Sequence, residues 1–151
     1  MSHEIVVIGT EPPCPRCRLL TDVVSAKVKE LGLDARVTHW TFTDEVAQQF
    51  ARLLGLEPGT AGMVAKKLGL AIDHGKKARP NYESEFNAEY DDYNYGDWTH
   101  ELDELLRPFE LQAKESGVLM TPVLIIDGEV KHAGSVPRMG ALLEWLRALQ
   151  G

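Results

Sequence analysis

The first residues of the chain predict a strand, then a helix, then a second strand. Residues 4–9, EIVVIG, are a β-branched run that ends at a glycine, which is typical of a buried strand. Apolar residues recur at helical spacing from Pro15 to Leu31, and the loose alternation of residues 34–42 predicts another strand. Two strands joined through a helix predict a βαβ unit, in which the strands are parallel.

The last residues predict a different order, two strands and then a helix. Residues 122–127 are predicted to form a strand, Asp127-Gly128 is a strong signal for a two-residue hairpin turn, and residues 129–133 are predicted to return as an antiparallel strand. A helix with one apolar face closes the chain. In 151 residues, this pattern predicts a single α/β domain with a central mixed sheet flanked by helices.

Between these two units lies a long middle segment. The core is expected to comprise residues 3–42 and 116–150, with a mostly helical insertion, about residues 43–115, between its second and third strands. A loop over residues 73–98 contains all four tyrosines and many acidic residues. Two interpretations of this loop remain open: an irregular cover held to the body by its aromatic side chains, or a lid that docks a partner or selects the substrate.

The two cysteines of the chain, Cys14 and Cys17, lie in one tetrapeptide, CPRC, at the start of the first predicted helix. This spacing allows a small disulfide ring to close and reopen. The N–H groups at a helix amino terminus and the positive charge of Arg16 favour a thiolate at Cys14. Cys17, one turn further in, is expected to be more buried. The pattern predicts that Cys14 is the nucleophile, that Cys17 resolves the mixed disulfide, and that Arg16 tunes the thiolate.

Other uses of the cysteines remain open. Zinc prefers four ligands, and the sequence has no second CxxC. Beyond His3, four histidines are scattered along the chain: His39, His74, His100 and His132. We expect each to be a surface residue or a hydrogen-bonded core residue rather than a ligand. Two thiolates can nevertheless hold a soft cation such as Cu(I), so a carrier of a soft metal or metalloid is the alternative function. A docking protein with inert thiols is the third possibility.

Charge and hydropathy limit the partners and the compartment. The net charge of −7 disfavours nucleic acid, because phosphate binding requires a basic surface. The first residues lack the basic region and long apolar stretch of an export signal, and no run approaches the roughly 20 apolar residues of a membrane span. These observations predict a cytoplasmic protein with no membrane partner. No motif predicts a cofactor or a resident metal.

Four motifs, taken together, resemble the thioredoxin fold. They are CPRC after the first strand, Thr121-Pro122 before a strand, the Asp127-Gly128 hairpin, and AGSVP before the last helix. The chain resembles in particular the small redox-active disulfide proteins, which are similar to thioredoxins and glutaredoxins. The resemblance covers the predicted core and leaves out the insertion.

The resemblance implies roles for several residues. Thr121 and Pro122 match the cis-proline dipeptide of the family, whose first residue offers its backbone to an extended substrate. Gly134 matches the glycine that keeps the rim of the substrate groove open. Pro13, beside the substrate, stands where thioredoxins have a tryptophan. The implied activity is that of a thiol–disulfide oxidoreductase. It would act on a disulfide-bearing protein or a small disulfide, with an unidentified reductase as electron donor.

The sequence departs from the family at a position that matters for the chemistry. Thioredoxins carry a buried carboxylate six residues before the first cysteine, and Ile8 stands there. The proton acceptor for Cys17 is therefore unassigned. The glycine pair and acidic tail of glutathione-binding glutaredoxins are replaced by AGSVPR, so the resemblance does not imply the use of glutathione.

Overall fold

A computed structural model of the chain describes residues 2–10, 15–70 and 100–150. These residues form six strands and five helices. In chain order they are β1 (His3–Gly9), α1 (Pro15–Glu30), β2 (Ala35–Thr41), α2 (Glu45–Leu53), β3 (Glu57–Gly59), α3 (Ala61–Lys67), α4 (His100–Ala113), β4 (Val118–Met120), β5 (Val123–Ile126), β6 (Glu129–Ala133) and α5 (Met139–Arg147).

The main sheet has four strands in the order β2-β1-β5-β6. Strands β1 and β2 are parallel, as the predicted βαβ unit requires, while β5 is antiparallel to both β1 and β6. The predicted hairpin is confirmed: Asp127 and Gly128 both have positive φ, 50° and 82°, which a two-residue turn of this kind needs. The Asp127 carboxylate accepts hydrogen bonds from the Glu4 N–H and the His3 ring, which lower the pKa of that carboxyl.

Alternate residues of β1 face opposite layers of the molecule, because side chains alternate along a strand. Ile5 and Val7 belong to the core cluster that β1 forms with α1 and α5. Val6 and Ile8 belong to a second cluster, on the other face of the sheet, which includes Ala47 of α2. The sheet is therefore covered on both faces, and α1 lies on the face to which odd-numbered residues of β1 point.

A second, two-stranded sheet lies between β2 and β5 in the chain. β3 pairs in parallel with β4, and the side chains of Val64 in α3 and Phe109 in α4 pack in the cluster beside it. This strand pair was not predicted from the sequence, which indicated mainly helices there. The boundaries of the insertion, about residues 43–115, stay a prediction. The tyrosine-rich loop, residues 73–98, lies outside the described residues. In the described part of the chain, none of the helices is long and apolar enough to cross a membrane.

Candidate active site

Cys17 lies in the first turn of α1 and is fully buried. It lies on the side of the helix that packs against Gly9, at the end of β1. Cys14, which immediately precedes the first residue of α1, and Pro13 both lie outside the described residues. The predicted burial of Cys17 is confirmed, whereas the comparison of its burial with that of Cys14 stays a prediction. The arrangement of the two sulfur atoms stays a prediction.

Gly9, the last residue of β1, leaves the space that Cys17 occupies. A Cβ atom added at Gly9 would lie 2.7 Å from Cys17 Cβ, 2.9 Å from Cys17 Sγ and 2.9 Å from His39 Cε1. Real Cβ atoms do not approach other heavy atoms so closely. The residue of β1 that faces Cys17 is thus Gly9, whereas Ile8 points into the opposite face of the sheet. A carboxylate at position 8 would not reach Cys17 in this structure.

His39, in β2, forms the other wall of this space. It pairs with Val7 in the parallel ladder, and it follows Ala35 and Val37 on the face of β2 that packs toward α1. Its Nε2 atom is buried and has no hydrogen-bond partner among the described residues. The expectation that His39 is a surface residue or a hydrogen-bonded core residue rather than a ligand stays a prediction, because the residue is half-buried and this observation concerns one of its two ring nitrogens. The alternation of Ala35, Val37 and His39 along β2 is a sequence signal that could have placed residue 39 on the α1 face.

Arg16, next to Cys17, is 5% exposed, and its guanidinium points to two backbone carbonyl groups. Nη1 donates a hydrogen bond to the Gly134 carbonyl at 2.6 Å, and Nη2 donates one to the Thr121 carbonyl at 3.1 Å. Arginine suits such a bridge because its planar group presents several donors in a fixed geometry. The side chain thus joins the first turn of α1 to two segments more than a hundred residues further along the chain. Tuning of the Cys14 thiolate by Arg16 stays a prediction.

The Thr121–Pro122 peptide bond is cis, as the resemblance implies. Both backbone groups of Thr121 already have partners: its N–H donates to the Gly59 carbonyl at 2.8 Å, and its carbonyl accepts from Arg16. The first of these bonds continues the pairing of β3 with β4 by one residue. A substrate backbone could therefore reach the Thr121 N–H only by displacing Gly59 from it.

Gly134 is buried and has a φ of 97°, a conformation that suits glycine. Its N–H donates to the Pro122 carbonyl, which ties the loop after β6 to the cis peptide. A Cβ atom at Gly134 would lie 2.6 Å from Glu110 Cγ. The resemblance implies that this glycine keeps a groove open. In the structure, however, the Glu110 side chain of α4 fills the space beside it.

Glu110 belongs to a hydrogen-bond network that no sequence motif predicts. Ser135 Oγ donates to Glu110 Oε1 at 2.9 Å and accepts from His132 Nε2 at 2.8 Å, since the serine has one hydrogen to donate. Arg107 donates to the other oxygen of Glu110 at 2.7 Å. Burial lowers the pKa of His132; Glu110 opposes this effect and Arg107 adds to it. The network packs α4 against the loop that contains Gly134.

In the ranges 2–10, 15–70 and 100–150, which do not include Cys14, no group of three or more histidine, cysteine, aspartate or glutamate side chains could hold a metal ion.

Three features fit a thioredoxin-like fold: the sheet order, the cysteine in the first turn of the helix after β1, and the cis-proline before β5. A family model described as a thioredoxin domain matches residues 100–147, and this match supports the resemblance of the chain to the thioredoxin-like superfamily. The matched range contains Thr121, Pro122 and Gly134 but neither cysteine. It also contains α4, which the sequence prediction had placed in the insertion. Searches of curated proteins and of solved structures gave no match.

Proposed function

We propose that this protein is a thiol–disulfide oxidoreductase that uses Cys14 and Cys17 as its dithiol. The observation that carries the proposal is the bridge made by Arg16. It holds the first turn of α1, with its buried Cys17, against the carbonyl groups of Thr121 and Gly134. Three motifs that are far apart in the sequence are thereby neighbours in space, where an exchange site would need them.

The proposed reaction transfers two electrons from the dithiol to a disulfide. The Cys14 thiolate attacks one sulfur of the substrate disulfide, and the other substrate sulfur leaves as a thiolate. The Cys17 thiolate then attacks Cys14 Sγ, a Cys14–Cys17 disulfide forms, and the second substrate sulfur leaves. Both substrate thiolates take up protons. A dithiol reductase, not yet identified, returns the cysteines to the reduced form.

The proposed substrate is a disulfide-bearing protein or a small disulfide, and its binding site is proposed to lie at Pro13, Thr121, Pro122 and Gly134. Arg16 uses one lone pair of the Thr121 carbonyl, and a carbonyl oxygen can accept a second hydrogen bond. That oxygen is therefore the proposed backbone contact for an extended substrate, because the Thr121 N–H is already bonded to Gly59.

A redox titration of the cysteine pair tests this proposal. The full chain is equilibrated in thiol buffers of defined potential with metals chelated, and an alkylating reagent then counts the remaining thiols by mass. We expect a single two-electron transition at a potential roughly between −270 and −120 mV, the range of proteins with this fold. The transition should be absent in Cys14→Ser. If the two thiols never form a bond and react only after a metal is removed, the proposal fails and a soft-metal carrier replaces it.

A further inference from the structure

The resolving step of the proposed reaction requires that Cys17 lose its proton. Cys17 is fully buried, and burial in apolar surroundings disfavours the thiolate form of a cysteine. A nearby group must therefore accept the proton if this step is to be fast. The carboxylate that the resemblance leads one to expect is missing, because Ile8 stands at its position and also faces the other side of the sheet.

His39 is the titratable side chain that the structure places next to the Cys17 sulfur. A Cβ atom placed at Gly9 would lie 2.9 Å from Cys17 Sγ and also 2.9 Å from His39 Cε1. The distance between Cys17 Sγ and His39 Cε1 is therefore at most twice 2.9 Å. Nε2 is bonded directly to Cε1. The χ2 torsion of histidine has broad minima, so rotation of the ring changes the distance from Nε2 to the sulfur at low cost.

The Nε2 atom of His39 is also the one buried side-chain nitrogen or oxygen that has no hydrogen-bond partner within the described residues. A buried polar atom without a partner costs free energy, so native proteins rarely retain one without a reason. Of the elements packed against this ring, α1 presents the Cys17 thiol, and β1 presents Gly9 and the ladder partner Val7, which do not titrate. The thiol is thus the titratable group that these elements offer to Nε2.

We infer that His39 is the base that takes the proton from Cys17 in the resolving step, the role that the resemblance implies for the buried carboxylate of thioredoxins. The inference rests on the proposed function. The Cys17 Sγ–H proton passes to His39 Nε2, the sulfur forms a bond with Cys14 Sγ, and the bond between Cys14 and the substrate sulfur breaks. The substrate leaves as a thiolate, and the imidazolium returns its proton to solvent.

A stopped-flow experiment with dithiobis(nitrobenzoate) separates the two chemical steps. Attack by Cys14 releases the first coloured thiolate at a rate that rises with reagent concentration. Attack by Cys17 on the mixed disulfide releases the second thiolate at a rate that does not depend on that concentration. The first phase therefore reports the proposed function, and the second phase reports the step assigned to His39.

We expect His39→Gln to slow the second phase by about 100-fold near neutral pH, because glutamine cannot take up the proton, and to leave the first phase unchanged. Cys17→Ser should abolish the second phase. His3→Gln, at the other end of β1, is the matched control and should leave both phases as they are. A first phase that is absent in the unsubstituted protein would contradict the proposed function. A normal second phase in His39→Gln, or equal slowing of both phases, would contradict the role of His39 as the base but not the proposed function.

A measurement on the unsubstituted protein keeps the inference testable if His39→Gln does not fold. The second-phase rate is recorded against pH, and the His39 ring is titrated in the same protein by NMR. The rate should rise with pH through an inflection that coincides with the midpoint of the His39 titration, since the neutral imidazole is the base. An inflection that does not follow the His39 midpoint overturns the inference.

Discussion

Arg16 and Cys17 are neighbours in the first turn of α1 and both are buried, but their surroundings differ. The Arg16 side faces the loops of the carboxyl-terminal half, and its guanidinium donates to two carbonyl groups. The Cys17 side faces β1 and β2, where a histidine nitrogen has no partner among the residues that the structure describes. Proteins relax the rules of polar satisfaction mainly at functional sites. The Arg16 side therefore holds separate segments of the site together, and the Cys17 side is where we infer the proton transfer.

The largest expected effect is on the Arg16 side. Arg16→Met leaves the Thr121 and Gly134 carbonyls without this donor in a buried place, so the free energy of unfolding should fall by about 3 kcal/mol. Urea denaturation followed by circular dichroism measures the change. Arg16→Lys keeps the charge but cannot reproduce the two-pronged geometry, and should lose an intermediate amount.

Arg18→Met is the matched control for this experiment, because Arg18 is an exposed arginine of the same helix. Its effect should stay within about 0.5 kcal/mol. If Arg16→Met and Arg18→Met had equal effects, the Arg16 bridge would not contribute to the fold, and the comparison between the two sides of the turn would be wrong.

The second largest effect is expected when a side chain is added in the space between Gly9, Cys17 and His39. Gly9→Ala adds a Cβ atom that collides with Cys17 and with His39, so it should lower the free energy of unfolding by about 2 kcal/mol. Thermal denaturation at neutral pH measures this. In Gly140→Ala, the added atom meets no heavy atom within 4 Å and removes a flexible residue from α5, so a gain of about 0.5 kcal/mol is expected. Equal stability of Gly9→Ala and the unsubstituted protein would show that the space is not closely filled.

The main sheet could be predicted from the sequence because its signals are local. The β-branched run before Gly9, the helical spacing after Pro15 and the Asp127-Gly128 turn each depend on neighbouring residues only. The pairing of β3 with β4 could not be predicted. β3 has three residues, EPG, without any alternation, and it pairs with a strand about sixty positions away.

The candidate site was predicted in part, for a similar reason. The CPRC motif and the Thr121-Pro122 dipeptide have recognisable sequences, and the cis bond is present. The partners of Arg16 are backbone carbonyls, which carry no sequence signal of their own. Glu110 approaches Gly134 across a long separation, and nothing near it in the sequence marks it. His39 could have been found, because its place in the alternation of β2 puts it on the α1 face.

The smallest expected effect concerns the pH dependence of stability that comes from His132. His132, in the network on the Arg16 side, has a hydrogen-bond partner, and burial lowers its pKa below the ordinary value of 6.5. The unfolded chain therefore binds the proton more readily than the folded protein. Stability from this group is present above about pH 6.5 and is lost as the pH falls through the lower pKa of the folded state. His132→Gln should make the free energy of unfolding less dependent on pH in that range, as urea denaturation at several pH values would show.

The direction of the pKa shift of His132 can be tested a second time by substituting its charged neighbours. The charge of Glu110 raises the pKa of His132 and that of Arg107 lowers it, so an NMR titration of the ring should move in opposite directions in two variants. The midpoint should fall in Glu110→Gln, because the imidazolium loses a nearby anion, and rise in Arg107→Gln, because it loses a nearby cation. Shifts in the same direction would mean that the network rearranges when either charge is removed. The Arg16 side would then be less rigid than its hydrogen bonds indicate, and its contrast with the Cys17 side would weaken.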